Sequence, residues 1–178
     1  SAVARFAPLA ARQAIALHSH KEALEHLRQA LSVPPALAKG ERAAVLEEYA
    51  RECLLASQLE EAAAALEEAI ALRGDGDRER VGADLALLSE VRWAQAQGPE
   101  SEKAARQAIE ILEDLPESPA LAAAYAALAK LAMVDVRNEE VVTWGERAVA
   151  VARKTGDVGV LAHALNTLGS ARLRIDPS

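Results

Sequence analysis

One spacing constrains this chain more than any single motif in it. An alanine followed by an aliphatic residue recurs at Ala30, Ala69, Ala108 and Ala148, in successive steps of 39, 39 and 40 along the sequence. The pattern around it also repeats. It reads Ala23-x3-Leu27-x2-Ala30 and Ala62-x3-Leu66-x2-Ala69, then more loosely Ser101-x3-Ala105-x2-Ala108 and Val141-x3-Gly145-x2-Ala148. Residues at this spacing share one face of a helix. The small residues let a neighbouring helix approach, and the leucine fills the gap between them. The clearest copy is 59–72, LEEAAAALEEAIAL. A period of this length is the signature of a helical repeat array.

A second mark falls between the copies. A large or apolar residue followed by a small one appears as Ala10-Ala11, Tyr49-Ala50, Leu88-Ser89, Leu128-Ala129 and Leu168-Gly169. The distance from the small residue to the next repeat alanine is always 19, whereas the return step is 20 or 21. A helical hairpin packed through small residues cannot change length easily, but a surface link can. Helices are expected over 2–17, 20–32, 38–57, 59–73, 78–96, 100–114, 118–135, 138–154 and 158–174. Their breaks are His18-Ser19-His20, Pro34-Pro35, Ser57-Gln58, Gly74 to Asp77, Gly98-Pro99, Pro116, Arg137-Asn138, Thr155-Gly156-Asp157 and Asp176-Pro177. Pro8 should mark a first firm turn or a kink. No segment shows the sustained alternation of a strand. The expected fold is all-α: nine helices forming about four and a half hairpins in a right-handed superhelix, with 1–178 as a single repeat domain.

Composition agrees with close-packed helices. Hydrophobic residues make up 51% of the chain and aromatics only 3%, so much of the apolar content is Ala and Leu. The net charge of −7 argues against nucleic-acid binding, which needs a basic footprint. Cys53 is the single cysteine, so no internal disulfide and no cysteine-based zinc site can form, which fits a reducing cytoplasm. No apolar run is long enough for a membrane span, and no signal peptide is present, so a cytoplasmic protein is expected. The chain opens in Ala-rich sequence without an initiator Met, so it is expected to be a piece of something longer, with Ser1 a cloning remnant.

Leu165-x2-Leu168-Gly169 together with Ala62-x3-Leu66-x2-Ala69 resembles the tetratricopeptide repeat, whose motif runs W-x2-L-G-x2-Y and then A-x3-F. The period here is about five residues longer than the usual 34. The stretches 93–112 (WAQAQGPESEKAARQAIEIL) and 141–173 are similar to the superhelical-repeat region of large bacterial regulators, in which an ATPase module precedes such repeats and a LuxR-type DNA-binding domain follows, as in the maltose-regulon activator. That resemblance implies a ligand-sensing or protein-interaction segment of a cytoplasmic transcriptional regulator. Its partner would be a protein, a peptide or a small-molecule inducer held in a concave groove. The alternatives are a generic adaptor that binds a peptide, and a structural spacer between the ATPase and DNA-binding domains.

In tetratricopeptide-like arrays the first helix of each pair lines the concave wall. Carried over, the wall positions lie three before each small residue, one after it and four after it. They are Glu47, Arg51 and Leu54; Ala86, Glu90 and Trp93; Ala126, Lys130 and Met133; and Asn166, Ser170 and Leu173. The ligand-binding candidates are Glu47, Arg51, Glu90, Trp93, Lys130, Met133 and Asn166: charges of both signs, an indole and a thioether. Trp144 sits in a second helix and is expected to pack. The peptide-terminus clamp of chaperone-binding relatives requires Lys and Asn where Pro8, Arg12 and Glu48 stand, so that role is not expected.

No phosphate-binding loop, G-x-S-x-G or H-E-x-x-H occurs, and no enzymatic activity and no cofactor are expected. His18, His20, Glu22 and His26 cluster, but they read better as a polar turn than as a metal site. Asp75, Asp77 and Glu79 imitate a calcium loop, yet Arg80 occupies the place of the turn glycine. Arg73-Gly74-Asp75 reads as a helix end, and Cys53 as a buried thiol. The last helix carries an apolar stripe of Leu161, Ala164, Leu165, Leu168, Ala171 and Ile175 with no following helix to cover it, so a homodimer through this helix is expected.

Overall fold

A computed structural model describes residues 2–32 and 37–175, and among them the chain is all-α with no strand. The helices are α1 (Ala2–Ala16), α2 (His20–Ser32), α3 (Lys39–Leu55), α4 (Leu59–Arg73), α5 (Arg78–Ala94), α6 (Gly98–Leu112), α7 (Pro119–Val134), α8 (Asn138–Thr155) and α9 (Val158–Ile175), with one 3₁₀ turn at Gly74–Gly76. The breaks expected at Pro34-Pro35 and Asp176-Pro177 lie outside the described residues. Pro8 is accommodated inside α1. No described helix is long and apolar enough to cross a membrane.

The boundaries follow local chemistry. The Ser118 hydroxyl caps α7 by accepting from the Leu121 N–H at 3.3 Å, and Pro119 opens the first turn, where its missing donor costs nothing. The Asp157 carboxylate accepts from the Val160 N–H at 2.9 Å and so starts α9. One expectation is corrected. Gly98-Pro99 is not the turn between α5 and α6 but the first turn of α6 itself, because proline is pre-set for that position. The reversal happens just before it, over Ala96 and Gln97.

That reversal recurs. His18, Ser57, Ala96 and Val136 all take positive φ, between 56° and 59°, and follow one another in steps of 39, 39 and 40. After each, a backbone N–H reaches five residues back: Ser19 to the Ala14 carbonyl, Gln58 to Cys53, Gln97 to Arg92 and Arg137 to Ala132, all at 2.8–2.9 Å. These are the six-to-one bonds of a Schellman turn. The sequence period is therefore a backbone period as well. None of the four residues is glycine, although the left-handed region costs other residues roughly 1–2 kcal/mol.

The chain forms two compact units, 1–77 and 78–178. In the first, each of α1 to α4 packs on its neighbour in sequence. Its core gathers Ala7, Ala11, Leu27, Ala30 and Val45, with Leu31, Leu37 and Tyr49 against them. In the second, α5 to α9 also pack consecutively, and in addition α5 lies against α7 and α7 against α9. Ala132, Val141 and Ala171 form a buried cluster there, with Met133 beside it.

The repeat positions are the buried ones. Ala30, Leu66, Ala69, Leu88, Ala108, Leu128 and Ala148 are all in the core. Where the pattern degrades, something else fills the space. Ser89 and Ser101 stand where Ala50 and Ala62 stand one repeat earlier, and they satisfy each other. The Ser101 hydroxyl donates to the Ser89 carbonyl at 2.8 Å, and the two hydroxyls lie 3.1 Å apart. Gly145 stands where Leu66 does two repeats earlier, and Leu168 of α9 packs into the space. A Cβ built on Gly145 would lie 2.7 Å from Leu168 Cγ. Of the terminal stripe, Ala164, Leu168 and Ala171 are buried, whereas Leu165 is 45% exposed. The Ile175 side chain lies outside the described residues.

Candidate functional site

Within the second unit, one face each of α5, α7 and α9 lines an open cavity of about 240 Å³. These are the first helices of successive hairpins. Small side chains make the room: Ala86 on α5, Ala123, Ala126 and Ala127 on α7, and Gly159 on α9, with Val160 at one end. Three polar side chains face the space, Glu90 from α5, Lys130 from α7 and His163 from α9.

Lys130 is held from behind. Its Nζ lies 4.8 Å from the centre of the Trp93 ring, one turn after Glu90 on α5. A cation over an indole face gains electrostatic attraction without losing its hydrogen-bonding capacity. Beyond that ring contact, Lys130 makes no hydrogen bond or ion pair among the described residues, and there neither the Glu90 carboxylate nor the His163 imidazole finds a side-chain partner. Burial pushes the Lys130 ammonium below its ordinary value, partly offset by the Glu90 charge. His163 is exposed as a residue, but partial desolvation of its ring lowers it, and the nearby Lys130 lowers it further, against a smaller pull from Glu90. His163 is therefore neutral at pH 7, with one ring N–H to donate and one nitrogen to accept.

The other sequence-derived candidates lie in different settings. Glu47 is buried and doubly engaged, accepting from Arg73 Nη2 at 2.7 Å and from Arg51 Nη2 at 2.9 Å. Arg51 is exposed apart from that bond. Met133 packs against the Ala132, Val141 and Ala171 cluster, and Asn166 is exposed on α9. The structure thus brings Glu90, Lys130 and Trp93 together, with Ala86 and Ala126 beneath them. His163 was missed in the sequence. It lies six residues before the small residue of its helix, one position further along the same row as Asn166, and a count extended by another turn would have reached it.

Several remaining features have structural partners. Arg12 binds Glu48 at 2.8 Å, and His20 Nδ1 lies 2.8 Å from the buried Glu52 carboxylate. Trp144 packs as expected, stacked on Tyr125 with ring centres 5.8 Å apart, while the Arg147 guanidinium covers both rings. Tyr125 donates to Glu113 at 2.7 Å, and burial followed by that carboxylate pushes its phenol up to about 12. Cys53 is fully buried, and burial raises its thiol.

No protein-family model and no curated protein matches the chain. Solved structures do. The TPR-like repeats of a Podosopora anserina protein described as a kinesin light chain are similar to it in two crystal structures. One, of a point variant, is 23% identical with a TM-score of 0.73, covering 96% of this chain and 86% of that one. The other is 21% identical with a TM-score of 0.67, covering 99% of each. BtubC (BKLC) from P. vanneervenii is 18% identical with a TM-score of 0.73, covering 90% of this chain and 68% of that one. At such identities the likeness establishes a TPR-like repeat fold.

Proposed function

We propose that this chain is a non-catalytic binding module, with the α5–α7–α9 cavity as its ligand site. One observation carries the reading. Three polar side chains from three successive first helices converge on one space, and none of them has a hydrogen-bond or ion-pair partner among the described residues. Polar groups removed from water, as the half-buried Lys130 is, are normally satisfied. Glu90 and His163 are exposed, so that argument rests on Lys130, and the convergence of the other two beside it suits the set to a ligand. The fold supports the reading, since stacked hairpins present side chains from several repeats to one partner.

On this reading 1–178 is one repeat domain, supported by the unbroken steps of 39, 39 and 40 between its turns. It would be the ligand-sensing or protein-interaction segment of a cytoplasmic bacterial regulator, on the strength of the resemblance in 93–112 and 141–173. A peptide-binding adaptor is the second reading, favoured by the likeness to kinesin light chain repeats. Leu165 and Leu173, 45% and 73% exposed on α9, support a homodimer through that helix.

The test is a thermal-shift screen of metabolites and short peptides, run in parallel on Ala126→Phe, which fills the cavity. A ligand at about 100 times its Kd should stabilise the wild type by roughly 2.7 kcal/mol and leave the filled variant unmoved. If every stabilising compound acts equally on both, the cavity is not the site. Recovery of the full-length chain decides the regulator assignment, which falls if no DNA-binding segment accompanies the repeats.

A further inference from the structure

We propose that the cavity takes a small dipolar molecule carrying both a carboxylate and a protonated amine, as a free amino acid does. This rests on the reading of the cavity as a binding site and adds the chemical class of the ligand.

The charges argue for it. At neutral pH the cavity holds one cation, Lys130, one anion, Glu90, and a neutral His163. Its net charge is zero, but the opposite charges sit on different helices, at the same repeat position of α7 and α5. Such a site favours a ligand that is neutral overall and dipolar. A dianion would meet the Glu90 charge as well as Lys130. A hydrocarbon would bury Lys130 and Glu90 against nothing, at the cost of their hydration.

The ammonium supports one end of that dipole. Lys130 carries three N–H donors, is half-buried on the Trp93 ring and lacks an acceptor among the described residues. A ligand carboxylate placed there would accept from it, and the His163 ring N–H is available for the second oxygen. Glu90 lies on the facing helix, exposed and without a hydrogen bond or ion pair among the described residues, and would take the amine. One helical turn below the charges the walls are Ala86, Ala126 and Ala127, which offer methyl surface to a short aliphatic side chain.

Size restricts the class. About 240 Å³ is smaller than the roughly 300–1,000 Å³ of sites for drug-sized ligands. A folded partner could reach into it only with an inserted side chain or chain terminus. A peptide could insert an acidic side chain, but its interior residues carry no α-ammonium beside that carboxylate, and only a separate lysine could reach Glu90.

Calorimetry with the whole chain decides the matter. The probes are the standard free amino acids, each compared with its N-acetyl form, which lacks the cation, and its methyl ester, which lacks the anion. At least one amino acid should bind with millimolar affinity or better, and either masking should weaken it by about tenfold or more. Lys130→Met should abolish the penalty for esterification and Glu90→Gln the penalty for N-acetylation, each with the other penalty retained. Circular dichroism melts establish that both variants fold. If no amino acid binds, or if masked and unmasked forms bind alike, the inference is overturned. If instead an acidic peptide binds in a Lys130-dependent way, the class is wrong while the binding module stands. If neither binds, and Ala126→Phe changes nothing in the ligand screen, both fall.

Discussion

Glu47 in α3 and Ala86 in α5 occupy the same position one repeat apart, and so do Arg73 at the end of α4 and Leu112 at the end of α6. In the first unit this pair of places holds an ion pair. Arg73, almost fully buried, donates to Glu47 at 2.7 Å and approaches the Ala43 carbonyl at 3.5 Å. In the second unit Leu112 instead packs on Gly82, close enough that an added Cβ would lie 2.5 Å from Leu112 Cγ. Ala86 is left facing the cavity, as is Ala126 a further repeat on. One backbone position thus serves as a strut in one unit and as open space in the other. A wall position is not a binding position until its neighbours leave it unpaired.

The largest expected effect tests the strut. Glu47→Ala takes the close carboxylate from the buried Arg73 guanidinium, leaving it the half-exposed Asp77 at 3.9 Å, and should cost roughly 3 kcal/mol in urea unfolding. The double variant Glu47→Ala with Arg73→Leu reproduces the pairing of the second unit and should recover most of that loss. A single variant within about 0.5 kcal/mol of wild type would show that the ion pair is not a strut.

Two alanines sharpen the contrast between filled and open places. Ala69 is fully buried where helices meet, so Ala69→Leu should destabilise by about 1–3 kcal/mol through overpacking. Ala126 faces the cavity, and Ala126→Leu has room to be accommodated, at a cost below about 1 kcal/mol. Equal costs would mean that the cavity is not available space.

A smaller effect concerns Lys130. A strut loses stability when it is removed, but an ammonium held for a ligand does not. Lys130→Met removes a desolvated charge that has no ion pair among the described residues and should be neutral or stabilising, by up to about 1 kcal/mol. A marked loss of stability would place Lys130 with Glu47 as a structural group.

The smallest effect is a pH dependence. His163 titrates below its ordinary value of 6.5 in the folded chain, so on acidification the unfolded chain takes up this proton first. Its contribution is fully present above pH 6.5 and declines as the pH falls from there toward the lowered folded value. His163→Gln should flatten that part of the stability profile relative to wild type. An unchanged slope would show that folding does not perturb His163.

Much of this was legible in the residues. The period gave the helices, because small residues at fixed spacing suit a close helix contact, and Ala30, Leu66, Ala69, Leu88, Ala108, Leu128 and Ala148 proved buried, although Gly169 of the second mark is exposed. The same count reached Glu90, Trp93 and Lys130 before their contact was visible. It also reached Glu47, whose role it could not supply. The partner, Arg73, stands far along the chain at the end of the next helix and reads locally as an ordinary helix end. The four left-handed turns were hidden for a different reason. His18, Ser57, Ala96 and Val136 carry no glycine signal, and the short connection within each hairpin holds them in place.

By itself, then, the sequence determined the helices, the hairpin length and the faces that pack, since these depend on local propensity and on periodicities of a few residues. Only the tertiary structure decided which side chains at equivalent positions find a partner. That outcome depends on residues tens of positions apart arriving at the same place, as Arg73 does at Glu47, whereas Lys130 meets only the Trp93 ring and neither it nor Glu90 gains a hydrogen bond or ion pair among the described residues.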